Sequence, residues 1–212
     1  MGSVASEAPK AMRIASRLRL HGKRTRKPEQ VKTYERGSRM TLKASGGAPV
    51  LGTLRAADGK AVVRMEDRFD ASIEDVWAAL TDPRRLALWL GEIEGDLRLG
   101  GGFRARFFAS GWEGTGRIDS CEPPQRLLVW IKDEEQPDER PIEVTLTDAG
   151  DQITLVWEER GMPLNLIAAY GAGIQIHVED LADHVAGHER GDPKARFDAL
   201  FPVYQALAQT VD

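Results

Sequence analysis

The chain has 212 residues, 42% of them hydrophobic and 29% charged, with a formal net charge of −4 and a single cysteine. That length favours one core domain plus additional sequence; the lone Cys121 excludes an intramolecular disulfide, and a mean hydropathy of −0.38 with no long apolar run argues against a membrane-spanning helix. The expectation is a soluble, cytoplasmic protein.

Charge divides the chain. Residues 1–50 hold 12 of the 29 Lys and Arg but only 3 of the 33 Asp and Glu. With few large apolar side chains to offset the entropy of ordering a backbone, residues 1–58 read as a basic, mostly disordered arm. The arm is compatible with a surface for nucleic acid or anionic lipid, an organellar transit peptide, or a solvated tail or upstream extension ahead of a start such as Met40. Tyr34 is the one aromatic among its charges, where a stacking surface would need several. The acidic remainder disfavours nucleic-acid binding.

Residues 59–212 read as one domain. Ala61 to Asp70 alternates as a strand. Ser72 then occupies an N-cap position with Asp75 three residues on, and Ile73, Val76, Trp77 and Leu80 follow at helical spacing, which predicts a helix over 72–81. Asp82-Pro83 interrupts it and opens a second short helix ending at Gly91. Residues 91–116 contain eight glycines, a density suited to turns and bent strands. Within them Phe103, Ala105 and Phe107 alternate with Arg104 and Arg106. Residues 112–120, 126–132, 142–147 and 152–158 supply four further β-rich runs separated by turn residues. No helical pattern intervenes, so the sheet is expected to be antiparallel. Ile167, Ile174, Val178, Leu181 and Val185 then form a helical apolar stripe that the sheet is the natural surface to bury. Asp192-Pro193 breaks that helix, and residues 197–208 offer a last amphipathic turn or helix.

The order of elements, together with DPRRLALWLG (Asp82 to Gly91), GDLRLGGGFRARF (Gly95 to Phe107) and CEPPQRLLVW (Cys121 to Trp130), resembles the START-like (SRPBCC) superfamily. The closest branch is the one named after the activator of the heat-shock-protein-90 ATPase, which overlaps polyketide-cyclase-like proteins. The resemblance covers roughly residues 61–190. It implies an α+β helix-grip fold: a curved antiparallel sheet of about six or seven strands around a long C-terminal helix, with two short helices after the first strand and a cavity between sheet and helix. It also implies a small hydrophobic ligand in a pocket of roughly 300–1,000 Å³. The candidate lining residues are Trp89, Phe103, Phe107, Trp112, Trp130, Trp157, Ile174 and His177. Aromatic residues at strand and helix spacing equally serve a filled core.

His177, Asp180, His184 and His188 share a second stripe on the closing helix. One straight stripe cannot surround an ion, and the metalloprotease His-Glu-x-x-His arrangement is missing, so a polar edge facing solvent or a partner is expected and no metal or other cofactor; His177, nearest the cavity side that the resemblance implies, is expected as a satisfied buried histidine. There is no phosphate-binding loop ahead of a helix and no nucleophile elbow. Glu66, Glu158 and Glu159 become acid–base candidates only if a strand aims one inward, where desolvation raises its pKa. A non-catalytic module binding a small hydrophobic molecule, with a possible protein partner, is therefore the primary expectation. A cyclase- or dehydratase-type enzyme using the same cavity is the alternative, and a cavity-free interaction module the third. A buried Glu or His beside a tyrosine or arginine in the cavity would favour the enzyme; an entirely apolar cavity would favour binding.

Overall fold

Residues 51–134 and 138–211 are described in the computed structural model of the chain. The expectations for residues 1–50, and with them most of the basic arm, lie outside the described residues. The first strand, β1 (Gly52–Ala57), falls inside the stretch read as the arm and corrects its boundary. Its cause is local: Asp58 and Gly59 both have positive φ, 52° and 72°, and join β1 to β2 (Lys60–Phe69) with Ala57 opposite Lys60. An Asp-Gly pair suits that two-residue turn, because both central positions need the left-handed region.

The chain then forms α1 (Ile73–Thr81) and α2 (Pro83–Trp89). Ser72 caps α1 by accepting a bond from the Asp75 N–H at 3.2 Å, and Asp82 caps α2 through Arg84, with Pro83 in its first turn. Strands β3 (Gly91–Gly95), β4 (Gly102–Phe107), β5 (Glu113–Glu122), β6 (Arg126–Asp133), β7 (Glu139–Asp148) and β8 (Ile153–Met162) follow, and α3 (Ile167–Val185) and α4 (Pro193–Ala208) close the chain. The eight strands make one antiparallel sheet in the order β1-β2-β8-β7-β6-β5-β4-β3. This is the expected α+β helix-grip architecture with eight strands instead of six or seven. The two extra strands are β1 and β3, both short and half exposed, so neither carries a strong apolar alternation.

The inner face of the sheet is read from burial: Val63, Met65 and Phe69 on β2, Ile131 on β6, Ile142, Val144 and Leu146 on β7, and Ile153, Leu155 and Trp157 on β8. Helix α3 lies against this face and brings Ile167, Ile174, Val178 and Leu181 to it, all buried. Helix α4 packs on α3 through Tyr204, whose hydroxyl donates to Gln175 Oε1 at 2.6 Å. No helix among the described residues is long and apolar enough to cross a membrane.

Candidate ligand cavity

Two layers of side chains fill the space between the helices and the inner face, and their chemistry differs. The first surrounds a partly open cavity of about 80 Å³, bounded by Leu80, Leu86 and Trp89 of the short helices, Ile93, Phe103 and Phe107 of β3 and β4, and Leu127, Val129, Ile131, Ile142, Val144 and Trp157 of the central strands. Thr81 alone among the lining residues has a side-chain hydroxyl, and that group donates to the Trp77 carbonyl at 2.8 Å. Trp89 donates its indole N–H to the Ala79 carbonyl at 3.0 Å, which fixes its ring between α1 and α2. The cavity is smaller than the expected 300–1,000 Å³, and one of its lining rings, Phe103, closes over Gly116 of β5. Phe103 lies where a Cβ at Gly116 would go, and the six-membered ring of Trp112 lies where one at Gly114 would go.

Of the eight predicted lining residues, Trp89, Phe103, Phe107 and Trp157 line this cavity. Trp130 does not. It shares the parity of Leu128 and Lys132, opposite to the lining residues Leu127, Val129 and Ile131, and the Arg117 guanidinium covers its ring at 5.4 Å. The expectation failed there because β6 is apolar on both faces, so its pattern does not say which side turns inward. Trp112 and His177 pack on the lining residue Phe107 without lining the cavity themselves, and Ile174 is buried outside the lining.

The second layer is polar and adjoins the first. Moving one inward-facing position along each central strand, Ile131 gives way to Asp133, Ile142 to Arg140, and Trp157 to Glu159, all buried. The Arg140 Nε lies 3.9 Å from Glu159 Oε2, beyond hydrogen-bond distance, and its guanidinium covers the Tyr170 ring of α3 at 5.3 Å. Glu159 accepts the Trp157 indole N–H at 3.1 Å. Burial raises the Glu159 pKa against the pull of Arg140, and raises that of Tyr170. Glu66 is exposed and Glu158 faces the opposite side of the sheet, where Arg160 pairs with it at 3.1 Å. Glu159 is thus the one of the three carboxylates that turns inward.

His177 continues this layer along α3. Its ring meets Phe107 edge-on at 5.4 Å, its Nε2 lies 3.3 Å from Ser110 Oγ, and burial lowers its pKa to about 4, so it is neutral at pH 7. His177 is buried as expected, whereas the rest of the polar stripe of α3 is not wholly the expected outer edge. His177 and Asp180 are buried, His184 accepts a bond from Arg85 Nε at 3.2 Å, and only His188 is exposed. No group of three metal-ligating side chains comes together among the described residues.

Residues 70–186 match the family model described as Activator of Hsp90 ATPase homolog 1-like protein, more than half of the chain. No curated protein matches it. Among solved structures, the crystal structure of CalU16 from Micromonospora echinospora is 27% identical, covering 75% of this chain and 96% of its own, with a TM-score of 0.63. DynU16, a protein in the dynemicin biosynthetic locus, is 29% identical over 65% of this chain and 50% of its own, with a TM-score of 0.55. The protein EF2215 from Enterococcus faecalis, at 21% identity, 76% and 92% coverage and a TM-score of 0.56, shares the fold.

Proposed function

The chain belongs to the family of Activator of Hsp90 ATPase homolog 1-like proteins, and on that premise we propose that it binds a small hydrophobic molecule in the cavity between α1, α2 and the inner face of the sheet. The observation that carries the reading is a lining built from apolar and aromatic side chains, whose one hydroxyl is already engaged. A space of about 80 Å³ is below the roughly 150 Å³ of an engineered apolar cavity that takes up benzene. The guest is therefore of about one ring in size and enters with a displacement of Phe103, the lining ring laid over Gly116. The setting we assign is the cytoplasm, where the free Cys121 stays reduced.

The catalytic alternative draws on Glu159, a buried carboxylate beside Arg140 and Tyr170. Such a group suits proton transfer. Its Oε1 already accepts the Trp157 indole N–H, and the cavity lining itself carries no titratable acid or base, so binding is the better-supported reading. A co-chaperone-like role through a protein partner rests on the family alone.

Native mass spectrometry of protein purified from its own cells, followed by denaturing release, tests the proposal. A stoichiometric small molecule is expected with the wild type and its loss with Val129→Phe, which fills the cavity from its lining. Repeatedly empty wild-type protein would overturn it.

A further inference from the structure

Among the described residues, three buried side-chain atoms have no hydrogen-bond partner: Trp112 Nε1, Arg140 Nε and His177 Nδ1. The residues that own them are 8%, 7% and 5% exposed, so none can look to bulk solvent for a substitute. Leaving one such group unpaired is unfavourable. Three scattered orphans would be three separate irregularities, but these belong to one belt. Trp112 and His177 both pack on the Phe107 ring, at 4.8 and 5.4 Å. The Trp112 ring covers Gly114, whose partner across the sheet is Asp133. Asp133 and Arg140 both act on Tyr170 of α3. The belt also adjoins the apolar cavity: Phe107 and Trp157 line it, and Ile131, another lining residue, is the register partner of Arg140.

The chemistry of the three atoms narrows what completes them. The indole and guanidinium nitrogens are fixed donors, and neither can accept. A neutral imidazole nitrogen does either, according to its tautomer. The belt contains two carboxyl groups, those of Asp133 and Glu159, and one guanidinium, so it has no excess of positive charge to attract an anion. What fits two donors, an adaptable third atom and no spare cation is a neutral acceptor oxygen. We propose that the belt under the start of α3 recognises a carbonyl oxygen on the cavity's guest, with Trp112 Nε1–H and Arg140 Nε–H as its donors, so that the guest is an apolar ketone instead of a plain hydrocarbon. The inference rests on the ligand-binding reading above.

The test compares acetophenone with α-methylstyrene, which has the same shape with a methylene in place of the oxygen, by titration into ¹⁵N-labelled full-length protein. Acetophenone is expected to move the Trp112 indole N–H resonance downfield, where α-methylstyrene leaves its hydrogen bonding unchanged. The affinity ratio of ketone to alkene is expected to fall about tenfold in Trp112→Phe, the size of one buried hydrogen bond. Arg140→Lys, which keeps the charge and loses the planar N–H, is expected to lower the same ratio and serves should Trp112→Phe fail to fold. If both probes bind with an unchanged ratio and a silent Trp112 resonance, the carbonyl site is overturned while the apolar cavity stands. If neither probe binds, both readings fall.

Discussion

The two faces of this sheet use the same residue types, arginine and glutamate, to opposite effect. On the outer face Arg126 Nε and Arg160 Nη2 hold the two oxygens of Glu143 at 2.8 Å each, and Arg160 Nη1 reaches on to Glu158. Glu143 is pulled below the usual carboxylate range, first by its bond from Arg126. On the inner face Arg140 and Glu159 also form an ion pair, yet at 3.9 Å, and the Glu159 pKa moves up. The chemistry of the pair is unchanged; its solvation differs. Water screens and supports the outer ladder, whereas the inner pair gave up its hydration without gaining a full set of bonds.

The sharpest way to break that contrast is to remove one partner on the inner face. Arg140→Ala leaves Glu159 buried and uncompensated, and is expected to lower the unfolding free energy by about 3–5 kcal/mol in urea titrations. The double variant Arg140→Met/Glu159→Leu is expected to recover most of the loss. A loss below about 1 kcal/mol for the single change would mean that the inner pair is solvated like the outer one.

The next effect is a pH dependence with two opposed limbs on α3. Burial raises the Asp180 pKa from 3.8 to about 7, so the folded state holds a proton that the unfolded chain releases, and stability falls as pH rises across that window. Burial lowers His177 from 6.5 to about 4, so the unfolded chain takes up a proton that the folded state refuses, and stability falls as pH drops across that window. Thermal midpoints between pH 4 and 7.5 check both. Asp180→Asn is expected to flatten the first limb and His177→Phe the second; an unchanged profile in either variant would show that its group is not desolvated.

The smallest effect belongs to the outer face. Arg126→Ala is expected to cost less than about 1 kcal/mol, and the difference from wild type to shrink in 1 M NaCl. A large, salt-insensitive loss would erase the distinction between the faces.

Much of the architecture was legible because it depends on local signals. Ser72 and Asp82 mark the starts of α1 and α2, and the stripe from Ile167 to Leu181 identifies the face of α3 that meets the sheet. Strand β1 was equally marked by Asp58-Gly59, but the basic composition upstream outweighed a two-residue turn signal. The polar belt was far less visible. Asp133, Arg140 and Glu159 stand on three strands, and only pairing makes them neighbours. One clue existed: Arg140 extends the parity of Ile142, Val144 and Leu146, so any strand that buries those three turns Arg140 the same way. Which parity of RLLVWIK faces inward has no such clue, and Trp130 was misplaced for that reason.

The glycines of β5 have a mechanical consequence. At Gly116 the sheet contributes no side chain, and the ring of Phe103, its partner on β4, covers the gap; at Gly114 the Lys132 carbonyl and the Trp112 ring share that place. A side chain rooted on β5 would be a fixed floor. A ring leaning in from elsewhere is more like a hinged shutter, since rotation about its own side-chain torsions moves it while every interstrand bond stays made. Should the proposed guest bind, the space beneath Phe103 would enlarge by rotation of that ring, without any part of the sheet coming undone.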